Sequence, residues 1–124
     1  MNQIVFSDGK IFDTAAYPVD LEPPILVKKI NEDGVNRDYL RITVAATYAD
    51  VLAYFVDNAA YSIRQFDHDE NNNELETYTD FDWSEYSVAK DIIDHRDGRV
   101  TVYMAKPNEQ EEALAALKIL LGER

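Results

Sequence analysis

Leu40, Ile42 and Val44 alternate with Arg41 and Thr43, the two-residue period of a strand with one buried face. The alternation returns at Val100, Val102 and Met104, set against Thr101 and Tyr103. Between these segments the apolar positions change to helical spacing at Val51, Leu52 and Phe55. They do so again at Ala113, Leu114, Leu117, Leu120 and Leu121, where they form one stripe. The two periods predict strands interrupted by a short central helix and closed by a C-terminal amphipathic helix.

Turn chemistry divides the strands. Ser7-Asp8-Gly9 separates residues 3–6 from 10–14, and Asn31-Glu32-Asp33-Gly34 separates 25–30 from 39–46. Glycine in each turn accepts positive φ, so each segment reads as a hairpin. Residues 61–66 and 74–78 form a third hairpin with a long polar tip. Residues 88–94 and 99–105 form a fourth, around Asp97-Gly98. Three prolines between Pro18 and Pro24 remove ladder donors and mark a connector. Thr47 with Asp50, and Asn108 with Glu111, match capping boxes. The first predicts a helix over 48–57, ended by a left-handed Asn58. The order is β-β-β-β-α-β-β-β-β-α: a single α+β domain over 1–124, built mostly of antiparallel hairpins.

Composition narrows what such a domain does. The chain has 124 residues, no cysteine and a net charge of −12. A thiolate metal site and a cysteine nucleophile are excluded. The charge disfavours direct phosphate contact with nucleic acid and adsorption to anionic lipid, both of which need basic patches. No apolar run approaches a membrane span, and no signal peptide is visible. Synthesis in the cytoplasm is therefore the expectation.

The charge is concentrated. Residues 67–97 carry eleven acids against Lys90 and Arg96. The rings of Tyr78, Phe81, Trp83 and Tyr86 are interleaved with them. Carboxylates that pair Lys and Arg, with rings that anchor, are what recognition of a basic protein needs. The candidate contact residues are Phe81, Trp83 and Tyr86 with Asp80, Asp82 and Glu85. Leu114, Leu117 and Leu121 of the terminal helix form a second candidate surface, open to a partner or to self-association. The alternative is that the rings pack inward and the acids face water.

Other chemistry is thin. Asp67, Asp69 and Asn71 match the opening of a calcium loop, but Asn72 stands where the loop needs glycine and Tyr78 where it needs glutamate. A solvated turn is the simpler reading. His68 and His95 stand beside acids, yet no nucleophile turn, phosphate loop or oxyanion-hole motif accompanies them. The expectation is no enzyme, no catalytic residue, no metal and no cofactor.

The segment from Tyr86 to Leu121 resembles small proteins encoded in the tail gene region of tailed bacteriophages and prophages of Gram-positive bacteria. The residues that carry the likeness are the Asp97-Gly98 turn, the strand Val100-Thr101-Val102-Tyr103-Met104 and the Glu-rich helix from Glu109 to Leu120. The opening Ile4-Val5-Phe6-Ser7-Asp8-Gly9-Lys10 agrees in outline. The terminal helix stops soon after Leu121, which leaves little room for a long coiled coil. The resemblance implies a minor structural or accessory role in a virion tail or its assembly, with tail or baseplate proteins as partners and no catalytic residues. A second function class fits the charge alone: an acidic inhibitor or adaptor that binds a basic, nucleic-acid-handling protein.

Overall fold

The computed structural model describes residues 2–18, 22–108, 111–113 and 117. The described strands are β1 (Asn2–Phe6), β2 (Ile11–Asp13), β3 (Ile25–Glu32), β4 (Val35–Ala45), β5 (Tyr61–His68), β6 (Glu74–Asp82), β7 (Val88–Asp94) and β8 (Arg99–Ala105), with helix α1 (Tyr48–Tyr54) after β4. They form two four-stranded antiparallel sheets, ordered β2-β1-β5-β6 and β3-β4-β8-β7.

Each predicted hairpin pairs as its turn demands. Gly9, Gly34 and Gly98 have φ of 94°, 84° and 87°, a region that costs residues with a Cβ. The sheets, however, are completed by long-range pairs. Ile4 stands opposite Ile63 in β1–β5, and Ile42 opposite Val102 in β4–β8. One apolar cluster joins Ile4, Phe6 and Ile63 of the first sheet to Leu40, Ile42, Val44, Val102 and Met104 of the second. Val51 and Phe55 enter it from α1 and its C-cap. Each such aliphatic side chain contributes about 1.5–3 kcal/mol on full burial.

Helix α1 begins as expected: the Asp50 amide donates to Thr47 Oγ1 at 3.2 Å. It ends at Tyr54, earlier than the expected 57, because Phe55 leaves helical geometry (ψ 75°) and turns into the core. Asn58 takes the left-handed conformation, with φ 64°. At the other end, Asn108 and Glu111 close their box in both directions. The Glu111 amide donates to Asn108 Oδ1 at 2.8 Å, and the Asn108 amide donates to Glu111 Oε1 at 3.1 Å. Residues 111–113 and Leu117 are helical; Leu114, Leu120 and Leu121 lie outside the described residues. No helix among the described residues is long and apolar enough to cross a membrane.

The half-buried reading of β4 is corrected. Its even face lies in the core, but Arg37, Tyr39, Arg41 and Thr43 on the odd face are buried as well. The chain leaves β2 by bridging Thr14 to Val44, and the Ala15 amide donates to the Thr43 carbonyl at 3.0 Å. Tyr17, Glu22 and Pro23 then meet Arg41 on that odd face. The Tyr17 ring lies 3.6 Å from the guanidinium. Arg41 Nη1 donates to Glu22 and Nη2 to the Pro23 carbonyl at 3.3 Å. A proline-fixed strap thus covers a polar sheet face.

Candidate functional site

Strand β6 differs from every other strand: all nine of its residues are exposed. It is the outer strand of the first sheet, and among the described residues nothing pairs with its free edge. Its partner β5 starts in the core with Tyr61 and Ile63 and becomes exposed toward His68. The hairpin therefore runs out from the body of the domain.

Alternation assigns the side chains of this arm to two faces. Arg64, Phe66, Tyr78 and Asp80 share one, because Arg64 stands opposite Asp80 and Phe66 opposite Tyr78. Arg64 donates to both Asp80 oxygens, from Nε at 2.8 Å and Nη2 at 3.1 Å. Its guanidinium also lies 3.8 Å from the Tyr78 ring centroid, and Phe66 meets that ring edge-on at 5.7 Å. The guanidinium bonds hold the Asp80 carboxyl below its ordinary value of 3.8. Phe81 lies on the other face, opposite Ile63. Leu75, Tyr78 and Phe81 keep 42%, 48% and 47% of their surface exposed. Asp80 and Asp82 fall on the Tyr78 face of β6, and the ladder shifts register between Tyr78 and Glu74, which pairs with His68.

The turn after β6 anchors the arm. The Asp82 carboxylate accepts from the Ser84 amide at 2.9 Å, and the bonds from Ser84 keep its carboxyl below 3.8. The Tyr61 amide donates to Ser84 Oγ at 3.0 Å, and the Tyr61 hydroxyl donates to the Tyr86 carbonyl at 2.7 Å. Trp83, half-buried, packs on Tyr86 at 5.4 Å between ring centroids. Tyr86 is only 4% exposed, so its ring belongs to the core, and its expected place among the surface contact residues is corrected. Glu85 is exposed beside Lys106, 3.8 Å away. Leu117 is exposed, whereas Leu114 and Leu121 lie outside the described residues. Phe81, Asp80 and Asp82 therefore gather on the arm, Trp83 at its root, and Tyr86 beneath it.

The 67–74 loop closes on itself. Asp69 accepts from the amides of Asn71 and Asn73, both at 2.9 Å, which lowers its carboxyl below 3.8. Among the described residues no group of three or more His, Cys, Asp or Glu side chains is placed to hold a metal ion. His95 bonds no acid among the described residues: its Nε2 and Thr101 Oγ1 are 2.6 Å apart, and Tyr17 meets its ring edge-on. Thr101 Oγ1 in turn lies 2.8 Å from Thr43 Oγ1, both residues fully buried.

A groove of about 450 Å³ crosses the odd face of the second sheet over Tyr39 and Tyr103, between Lys28 and Lys90. Three of its polar groups answer one another. The Tyr39 hydroxyl donates to Glu32, and Lys90 lies 4.0 Å from the same carboxylate. Burial and that carboxylate push the Tyr39 hydroxyl up to about 12.

Sequence reasoning missed the exposed ring of Tyr78 and the edge position of β6 as parts of the site. The alternation of acids at 74, 76, 80 and 82 was the available signal. It also missed the strap over Arg41, for which only the proline spacing gave a cue. No family model, no curated protein and no solved structure matches this chain.

Proposed function

We propose that this protein works without catalysis, by binding other proteins through the β5–β6 arm. The observation that carries the reading is β6 itself: an outer strand exposed along its whole length, with Leu75, Tyr78 and Phe81 held out to solvent. Apolar and aromatic side chains are ordinarily drawn into cores, and exposed groups of them mark contact surfaces. Together with the likeness of residues 86–121 to small tail-region proteins, this supports a tail-associated structural or accessory role, with tail or baseplate proteins as partners.

The acids on the same arm favour a second reading, an inhibitor or adaptor for a basic, nucleic-acid-handling protein. The two readings differ in how binding answers to salt. Contacts made by rings and leucine persist as ions are added, whereas exposed charge pairs are screened within a Debye length of about 8–10 Å. The test is capture from the native host on the immobilised chain, eluted in rising salt, with the released proteins identified. Tail or baseplate proteins that stay bound through the high-salt steps support the first reading. A single basic enzyme released at modest salt supports the second. A capture profile unchanged by Leu75→Ser, Tyr78→Ser and Phe81→Ser together would remove the arm from both.

A further inference from the structure

We infer that the free edge of β6 receives an extended segment of a partner protein as a fifth strand of the first sheet, with Lys or Arg at alternate positions of that segment. The inference rests on the protein-binding reading and specifies its mode. Strand addition needs an outer strand whose backbone groups are open and long enough to form a ladder. β6 has nine residues, and nothing among the described residues covers its outer edge.

Charge selects the occupant. β6 carries acids at positions 74, 76, 80 and 82, Asp80 and Asp82 share one face, and Arg64 pairs with Asp80. Across the whole hairpin, residues 61–82 hold seven acids and one arginine. Glu76 and Asp82 have no basic partner among the described residues. Directly opposed side chains of paired strands lie close together, and opposite charges there attract. A strand with Lys or Arg facing Asp82 and a second basic residue within reach of Glu76, and an apolar residue facing Phe81 on the other side, answers both the charge and the exposed ring.

The same geometry rejects a second copy of this chain. Two β6 strands paired antiparallel about a two-fold axis keep like faces together. Centred on Tyr78, they set Glu76 opposite Asp80 and Glu74 opposite Asp82. Like charges directly opposed are destabilising, and charge on an outer strand is a recurrent defence against edge-to-edge association.

The test uses the full chain and three synthetic nine-residue peptides: alternating lysine and valine, alternating glutamate and valine, and the lysine peptide with proline at its centre. Binding is read by fluorescence anisotropy and by amide hydrogen exchange of residues 74–82. The expected result is that the lysine peptide binds roughly tenfold or more tightly than the other two and slows exchange along β6. Glu76→Lys with Asp82→Lys, both on exposed positions, should transfer the preference to the glutamate peptide. Absence of lysine-peptide binding overturns the inference. So does equal binding of the proline peptide, which would mean charge attraction without a ladder. Protection of β6 that grows with the concentration of the chain alone also overturns it, in favour of self-pairing. If host proteins are captured through Leu75, Tyr78 and Phe81 while the lysine peptide fails, strand addition falls and the protein-binding reading stands. If capture ignores those side chains, the binding reading falls whatever the peptide does.

Discussion

Arg64 and Asp80 face each other across β5 and β6, joined by two hydrogen bonds of 2.8 and 3.1 Å. The pair ties β6 to β5 one residue beyond the core residue Ile63, and it brings the guanidinium over Tyr78. Arg64→Met should return the Asp80 carboxyl toward 3.8, followed by carboxyl-carbon NMR titration. Because the native value lies below that of the unfolded chain, the pair's contribution is full above about pH 3.8 and is lost as pH falls through the lowered value. The pair is exposed, so at pH 7 the variant should lose less than about 1 kcal/mol in urea unfolding. An unchanged Asp80 titration would mean that the two groups do not pair in solution.

Phe81→Ser and Tyr78→Ser should separate binding from folding. Both rings are about half exposed, and surface substitutions usually change stability by less than about 0.5 kcal/mol. An anchoring ring, by contrast, costs about 2 kcal/mol or more of binding when removed. Melting temperature and capture of the partner are the two readouts. A large drop in melting temperature would show that the rings serve the fold, Tyr78 through its contacts with Arg64 and Phe66, rather than a partner.

Thr101 has two partners and Thr43 one, so the two threonines should differ. Thr43→Val removes a single hydrogen bond and leaves Thr101 bonded to His95; about 1 kcal/mol is expected. Thr101→Val strips both Thr43 and His95 of their bond, with Thr43 fully buried, and should cost about 2–3 kcal/mol. Equal losses in urea unfolding would contradict the relay from Thr43 through Thr101 to His95.

Arg41 holds the strap. Arg41→Ala should cost about 3 kcal/mol, since the side chain is 1% exposed and its stem and charge are both packed. Arg41→Met should recover part of that loss by filling the same space; Arg41 Nε is itself buried without a partner. Both variants should speed amide exchange at Ala15, whose amide bonds the Thr43 carbonyl. Unchanged exchange there would mean that the strap stays docked without the guanidinium.

The hairpins were legible because their determinants are local: a glycine at positive φ, a capping pair, an alternation of a few residues. Strand ends were less so. β6 continues to Asp82 rather than 78 despite Asp80 and Asp82, residues with little intrinsic strand preference, because β5 supplies the pairing. β4 starts at Val35 rather than 39 for the same reason. The order of strands was beyond reach, since Ile4 opposite Ile63 reflects packing between distant segments. In the candidate site, acids and rings were visible as a group, but not which rings face water. That depends on the phase of the pleat and on depth: Phe81 and Tyr78 project from opposite faces, while Tyr86, five residues past Phe81, enters the core. Arg41 and Thr43 read as a solvent face because polarity alone gives no sign of a strap folding back over them.

The strand order also sets a timetable. β1 waits for β5, and β4 for β8, so a break in the α1 region would leave strands of both sheets on each side. A chain emerging from the ribosome at about 5–20 residues per second completes the set β2-β1-β5-β6 when residue 82 appears. Leu40, Ile42 and Val44 must then wait for Val100, Val102 and Met104 before the second sheet closes. The arm, exposed along β6 as soon as it pairs with β5, gives the unfinished molecule a surface of one charge sign, and like charge opposes association of chains in that interval.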